Sequence, residues 1–125
     1  MSETRFTDDH EWARLEGELI VVGITNYAQE QLGDIVFVEL PNVGSTVEQG
    51  QEAAVIESVK AAGDVKSPVT GSIAEVNETL VDHPEMVNQD PAGEGWFYMV
   101  APADPAEMDD LLDETAYDNL LAGLE

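Results

Sequence analysis

The sequence predicts a mainly β fold, a sandwich or a small barrel, in a single domain that spans residues 1–125. Three observations carry this prediction. Short runs rich in β-branched and aromatic residues recur about every ten residues along the first two-thirds of the chain. Clusters that contain glycine or proline separate these runs. The apolar fraction of 43% is that of a globular chain with one modest core.

The predicted strands follow one another along the chain. The segments "WARLEG" and "ELIVVGI" form a hairpin around Gly17, and "DIVFVELP" is the next strand. The segment "GSTVEQGQ" is a turn cluster with two glycines. The segments "EAAVIES" and "AAGDVKSP" form a second hairpin at about 53–66, with Val59 and Lys60 in its turn. The segments "VTGSIAEVN" and "GWFYMVAP" complete the set.

Two stretches carry helical signals. Thr25 can cap, and Gly33 can end, a short helix over "TNYAQEQLG". The C-terminal part, about 104–124, begins with Asp104 as a helix cap, and Glu107 stands at the spacing of a capping box. The residues of its two apolar faces are Met108, Leu111 and Leu112, and then Tyr117, Leu120, Leu121 and Leu124. We expect these helices to cover an open end or edge of the sheet.

The charge of the chain is extreme. Its 27 acidic residues face only four cationic ones, for a formal net charge of −23. Such a field repels nucleic acids and anionic membranes. The acids extend along the whole chain, which favours a surface adapted to molar salt, and hence a halophilic source, over an acidic face for basic partners. Both interpretations stay open.

Composition also bears on the compartment. The chain has no cysteine, so it can form neither a disulfide nor a zinc-thiolate site. Its first residues lack the apolar core of a secretory signal, and no apolar run approaches the roughly 18 residues of a membrane span. We expect a cytoplasmic protein without membrane partners.

The lysines are the candidate functional residues. The chain has only two, Lys60 and Lys66, and both fall in the second predicted hairpin. Lys60 stands at the tip between Val59 and Ala61, where a lysine adds little stability and is too solvated to act as a base. A protruding lysine can instead present its amine to an acylating enzyme. The alternative is a solvated turn lysine without a function.

The segment "IESVKAAGDVKSPVTGSIAEVN" resembles the lysine hairpin of the biotinyl and lipoyl carrier families. Together with "HEW", "VGITNYAQEQLGDIVFVELP", "GEGW" and the acidic helical end, it makes the whole chain resemble the glycine cleavage system H protein family. The resemblance implies a flattened barrel-sandwich hybrid that carries lipoic acid, amide-linked to Lys60. Val59 and Ala61 stand where biotin carriers favour methionine, which argues for lipoate. Lys66 is interpreted as an ordinary strand residue.

The resemblance also implies a role and a set of partners. The protein would be a carrier and not an enzyme. Its lipoyl arm would take the aminomethyl group of glycine from a pyridoxal-phosphate glycine decarboxylase to a tetrahydrofolate-dependent aminomethyltransferase, and dihydrolipoyl dehydrogenase would reoxidise the arm. A lipoate ligase or a lipoyl or octanoyl transferase would attach the lipoyl group. We expect a monomer with no nucleic-acid partner.

A loaded arm of this kind is expected to fold back into a cleft on the body of the protein. By the resemblance, Glu11 and Asp64 are the candidate acids of this cleft, where they would face the protonated amine. The alternative is that both are ordinary surface acids. The chain departs from many relatives at two places near the cleft: Asp9 replaces a small hydroxyl residue and Ala92 replaces a tyrosine.

Two other functions stay open at this point. The protein could relay lipoate to other enzymes, or it could be an acidic interaction module with no prosthetic group. Intact mass would detect a lipoyl group, and a glycine decarboxylase exchange assay would separate the two carrier functions. The histidines, His10 and His83, lie far apart in sequence, so we expect no catalytic metal site.

Overall fold

The computed structural model describes residues 4–123, which form two antiparallel sheets with short helices at their edges and ends. The mainly β prediction is confirmed. The strands are β1 (Thr4–Phe6), β2 (Glu11–Glu16), β3 (Leu19–Ile24), β4 (Ile35–Glu39), β5 (Thr46–Val47), β6 (Glu52–Ser58), β7 (Ala62–Lys66), β8 (Gly71–Val76) and β9 (Tyr98–Pro102). The helices are α1 (Asn26–Leu32), α2 (Thr79–Asp82), α3 (Met86–Gln89), a 3₁₀ helix (Pro105–Asp110) and α4 (Glu114–Ala122).

The two sheets divide the strands unequally. One sheet has six strands in the order β1-β2-β3-β9-β8-β5, and the other has three in the order β4-β6-β7. The smaller sheet contains the hairpin of β6 and β7, whose last pair before the turn is Glu57 with Ala62. The lysine hairpin is therefore held by β4 on one side only.

The core lies between the sheets. In the lysine hairpin Ala54, Ile56 and Val65 are buried, whereas Val55 and Asp64, which pair across β6 and β7, point outward. This alternation is the period-two pattern of a sheet with one face on the core and one face exposed to solvent. The largest fully buried side chains of the described residues are Trp12, Tyr98, Phe97, Ile20, Ile73 and Leu80.

The helix α1 begins and ends where the sequence predicts. The hydroxyl of Thr25 accepts a hydrogen bond from the backbone N–H of Ala28 at 3.3 Å. Gly33 ends the helix with a φ of 82°, a left-handed conformation that glycine adopts without steric cost. The elements β1, β5, α2 and α3 are not predicted, since runs of two to four residues are too short to show a period.

The predicted capping box is wrong. Asp104 caps the 3₁₀ helix by accepting from the N–H of Ala106 at 3.0 Å, as expected. The carboxylate of Glu107, however, accepts from the backbone N–H of Thr70 at 2.6 Å and from its hydroxyl at 3.1 Å. Glu107 thus satisfies a backbone donor of the turn before β8, and the C-terminal segment is fastened to the six-stranded sheet.

The last helix covers an edge of the larger sheet. The ring of Tyr117 on α4 stacks on Phe6 of β1 with centroids 4.6 Å apart. Leu124, assigned to the apolar face of this helix, lies outside the described residues. Within residues 4–123 no helix is long and apolar enough to cross a membrane.

Candidate functional site

Lys60 lies in the turn that joins β6 to β7, and its side chain is exposed. The hydroxyl oxygen of Ser58 organises this turn by accepting from the backbone N–H groups of Lys60 at 3.3 Å and Ala61 at 3.0 Å. The N–H of Ser58 donates to the carbonyl of Ala61 at 2.7 Å. A single serine therefore holds the backbone of the lysine turn from within.

The tip of the hairpin also rests on the segment between α1 and β4. The backbone N–H of Val59 donates to the carbonyl of Asp34 at 3.0 Å. The aliphatic stem of Lys60 lies over Gly33, since a Cβ atom placed on Gly33 would stand 2.9 Å from the Cε of the lysine. The lysine is thus exposed at its amine and supported along its stem.

The second lysine has a different setting. The ammonium group of Lys66 lies 3.5 Å from a carboxylate oxygen of Asp9, and Asp9 raises the pKa of Lys66. The backbone N–H of Lys66 donates to Glu11 at 3.1 Å. In contrast, the ammonium group of Lys60 has no ion pair or hydrogen bond within residues 4–123. The two lysines therefore differ in that Lys66 is paired with Asp9 and the amine of Lys60 has no partner among the described residues.

Glu11 is buried at the foot of the lysine hairpin, with 3% of its surface exposed. One carboxylate oxygen accepts from the hydroxyl of Thr7 at 2.8 Å and the other accepts from the Lys66 N–H. Burial raises the pKa of Glu11, and these two hydrogen bonds oppose the rise in pKa. Glu11 fastens β7 to the start of β2, a contact that the sequence does not predict.

A cavity of about 310 Å³ opens beside this carboxylate. Its lining residues are Phe6, Thr7, Asp8, Asp9, Glu11, Gln49, Gly50, Lys66, Ser67, Pro68, Asp110, Leu111 and Leu112. It combines carboxylates with an apolar wall from the C-terminal segment. A concave site with an apolar wall and a few polar groups is the usual form of a ligand pocket.

Asp64 does not line this cavity. It lies on the outward face of β7, opposite Val55 of β6. Because side chains two residues apart in a strand share a face, Asp64 and Lys66 lie on the same side of β7. Lys66 reaches Asp9 at the rim of the cavity. The two candidate acids, Glu11 and Asp64, are therefore not brought together in one pocket.

The segment "HEW" anchors three separate elements. The Nδ1 atom of His10 lies 2.9 Å from the hydroxyl of Tyr117 on α4, and burial lowers the pKa of this histidine. Glu11 binds β7, as described above. The indole N–H of Trp12 donates to the carbonyl of Pro91 at 2.9 Å. The segment thus sets the position of the hairpin relative to the rest of the molecule.

No group of three or more His, Cys, Asp or Glu side chains in the described part of the chain is placed to hold a metal ion. His83 pairs with Glu85 on the surface, at 3.3 Å. The sequence analysis does not identify Ser58 as a support of the lysine turn. A serine that precedes a tight turn is a local signal that could have identified Ser58.

Three comparisons place the chain among known proteins. The family model described as glycine cleavage H-protein matches residues 4–123. The chain is 53% identical over 125 residues to the glycine cleavage system H protein of Parvibaculum lavamentivorans, and the match covers both chains fully. It is 56% identical over 118 residues to that of Phenylobacterium zucineum, which covers 94% of this chain and 98% of the relative.

A solved structure agrees with these matches. The crystal structure of a glycine cleavage system H protein from Mycobacterium marinum superposes with a TM-score of 0.88 at 39% sequence identity. The superposition covers 96% of this chain and 97% of the other.

The raised pKa of Glu11 gives a prediction for Glu11→Gln. The folded state binds this proton more tightly than the unfolded state, so wild-type stability should fall as pH rises from the ordinary pKa of 4.5 through the raised value. The amide oxygen of glutamine can still accept from the Lys66 N–H, its amide nitrogen can donate to the Thr7 hydroxyl oxygen in place of the accepted bond, and the side chain does not titrate. Chemical unfolding from about pH 4 to about pH 7 should show the variant gaining stability relative to wild type. A difference in the free energy of unfolding, variant minus wild type, that stays constant or falls from about pH 4 to about pH 7 would contradict the raised pKa of Glu11.

Proposed function

The chain belongs to the glycine cleavage H-protein family, and on that premise we propose that Lys60 is the lysine that carries its lipoic acid. The protein is a lipoyl carrier of the glycine cleavage system. It is a component that shuttles the aminomethyl group of glycine between enzymes of that system, and it is not itself an enzyme. When attached, the lipoyl group supplies the sulfur chemistry that accepts the one-carbon amine.

The observation that supports Lys60 most strongly is the contrast between the two lysines of the chain. The attachment is an amide bond to a lysine, and the chain offers only Lys60 and Lys66. Lys66 lies within β7 with its ammonium group beside Asp9, whereas Lys60 stands exposed in a turn that Ser58 holds in shape. An acylating enzyme can close around the tip without disturbing a strand.

We also propose the identities of the partner enzymes, the cellular compartment and the oligomeric state. The partners within the system would be a pyridoxal-phosphate glycine decarboxylase, a tetrahydrofolate-dependent aminomethyltransferase and dihydrolipoyl dehydrogenase. A lipoate ligase or a lipoyl or octanoyl transferase would load Lys60. The protein would act as a monomer in the cytoplasm, a compartment in which a chain without disulfides is common.

A further part of the proposal assigns Glu11 and Asp64 to the return of the loaded arm. A route for the arm along the outward face of β7 would pass Asp64 and, at Lys66, reach the cavity that Glu11 lines. Carboxylates along this route would attract the protonated amine. The apolar wall of the cavity would keep water from it.

Finally, we propose that the acidic surface is an adaptation to high salt. Four cationic side chains cannot offset 27 acids, and the ion pairs of the described residues include Arg14 with Glu16, Lys66 with Asp9, and His83 with Glu85 when the histidine is protonated. Repulsion among 27 acids is strongest where salt screens it least.

The lysine assignment is tested with a matched pair of variants. Lys60→Arg keeps the charge but removes the amine that forms the amide, so glycine–bicarbonate exchange with purified glycine decarboxylase should fall to background. Lys66→Arg keeps the pairing with Asp9 and should retain exchange within about twofold of wild type. Both variants should unfold within about 0.5 kcal/mol of wild type. Glycine–bicarbonate exchange by Lys60→Arg would refute the assignment of Lys60. Loss of this exchange in Lys66→Arg but not in Lys60→Arg would refute it as well.

The arm route is tested by the lifetime of the aminomethyl-loaded protein. Glu11→Gln and Asp64→Asn should be lipoylated normally but should release formaldehyde and ammonia faster when no aminomethyltransferase is present. For Asp64→Asn the increase should be at most about fivefold, since an exposed ion pair contributes about 1 kcal/mol or less. Glu75→Gln neutralises an exposed acid on β8 and serves as the control. Release rates equal to that of the control in both variants would rule out the route.

The salt proposal predicts the thermal midpoint. Between about 0.01 M and 1 M sodium chloride, where the screening length falls from roughly 30 Å to 3 Å, the midpoint should rise steeply. Chloride is chosen over sulfate because sulfate stabilises folded proteins in general through its exclusion from their surfaces. A midpoint that hardly moves over this range would remove the support for a salt-adapted surface and leave the carrier assignment untouched.

A further inference from the structure

We propose that Asn88 on α3 is a positioning residue for Lys60, which it serves through a ledge formed by Gly33, Asp34 and Ile35. The proposal rests on the assignment of Lys60 as the lipoylated residue. Asn88 does not touch the lysine. It fixes the backbone segment on which the tip of the lysine hairpin rests, and this segment connects α1 to β4.

The amide group of Asn88 binds both ends of the ledge. Its nitrogen donates to the carbonyl of Gly33 at 2.9 Å, and its oxygen accepts from the N–H of Ile35 at 2.9 Å. The same nitrogen donates to the side-chain oxygen of Gln29 on α1 at 2.9 Å. All three hydrogen bonds of the amide group go to α1 or to the segment that follows it. The side chain therefore joins α3 to the ledge.

The ledge in turn carries the lysine tip. Asp34, which lies between the two clamped residues, accepts the hydrogen bond from the N–H of Val59 at 3.0 Å. The stem of Lys60 lies over Gly33, where a Cβ atom would stand 3.6 Å from Cγ and 2.9 Å from Cε. Gly33 is therefore required twice, for its positive φ and for the room that it leaves to the stem. A shift of the ledge would move both supports of the tip together.

Asparagine is unfavourable within a helix, so its presence in α3 favours a specific role for the Asn88 side chain. Asparagine has a low helix propensity because its side chain competes for backbone hydrogen bonds. Packing of α3 on the core is supplied by the neighbouring Val87, which is fully buried. The side chain of Asn88 is instead directed at the ledge, and it satisfies a backbone N–H and a backbone carbonyl that have no strand or helix partner there.

The expected benefit is preorganisation of the lysine. An enzyme that acylates Lys60 must hold its flexible stem in one conformation, and a stem already seated on the ledge loses less freedom on binding. Loosening the ledge should therefore weaken recognition of the unmodified protein by roughly two- to tenfold, without changing the chemistry of the amine.

Hydrogen exchange of the unlipoylated protein tests the structural half of the proposal. In Asn88→Ala the protection of the Val59 N–H should fall at least tenfold relative to the protection of the Ile73 N–H. Ile73 is the reference because it lies on β8 in the other sheet, where its N–H donates to the carbonyl of Ser45 at 2.8 Å. The matched control is Asn77→Ala. The amide nitrogen of Asn77 also donates to two backbone carbonyls, those of Glu94 and Trp96, but away from the hairpin. In the control the ratio of the two protections should stay at the wild-type value.

Lipoylation kinetics test the functional half. With lipoate, ATP and a purified lipoate ligase, Asn88→Ala should raise the KM for the protein roughly two- to tenfold with kcat unchanged. Asn77→Ala should leave both constants unchanged. If Asn88→Ala does not fold, Asn88→Asp provides the same test, since it keeps the acceptor for Ile35 and removes the donors to Gly33 and Gln29.

The proposal is overturned if the Val59 protection falls only in proportion to that of Ile73, or if the KM of the Asn88 variant matches that of the Asn77 variant. Failure of the underlying lysine assignment gives a different result. In that case the wild-type protein itself would gain no lipoyl mass at Lys60. The hydrogen-exchange protection of the Val59 N–H would still report on the ledge.

Discussion

A hydrogen bond from the backbone N–H of Val59 to the carbonyl of Asp34 fastens the tip of the lysine hairpin to the body of the protein. The hairpin belongs to the three-stranded sheet, which has β4 on one side only, so its turn would otherwise project without support. A carrier lysine has two conflicting requirements. Its amine must be open to several enzymes, and its backbone must stay in place. The Val59 bond and the Ser58 turn meet the second requirement without covering the amine.

At the foot of the hairpin, Glu11 also holds the backbone in place. Glu11 is a buried acid in a chain whose other acids mostly lie on the surface, and burial of a carboxylate is unfavourable unless hydrogen bonds offset it. The Thr7 hydroxyl and the Lys66 N–H supply those bonds. The carboxylate thus orients β7 and forms part of the wall of the neighbouring cavity. One buried group therefore serves both the rigidity of the hairpin and the chemistry proposed for the loaded arm.

Sequence predicts the parts of this arrangement that are local. The strands of the lysine hairpin, the helix from Thr25 to Gly33 and the exposed lysine follow from residue type and spacing. Contacts between distant segments do not. Glu107 stands at the spacing of a capping box, but it binds Thr70 because a backbone donor of a distant turn lies within reach only in the folded chain. Asn88 supports the tip through the same kind of long-range contact, which no periodic pattern encodes.

The central claim is that this chain carries lipoic acid on Lys60, and peptide mapping by mass spectrometry tests it most directly. The protein should be purified from its own host, digested, and sequenced by fragmentation across Lys60 and Lys66. The account predicts a lipoyl group on Lys60 and an unmodified Lys66. A lipoyl group on Lys66, or protein that carries none while its host is cleaving glycine, would contradict it.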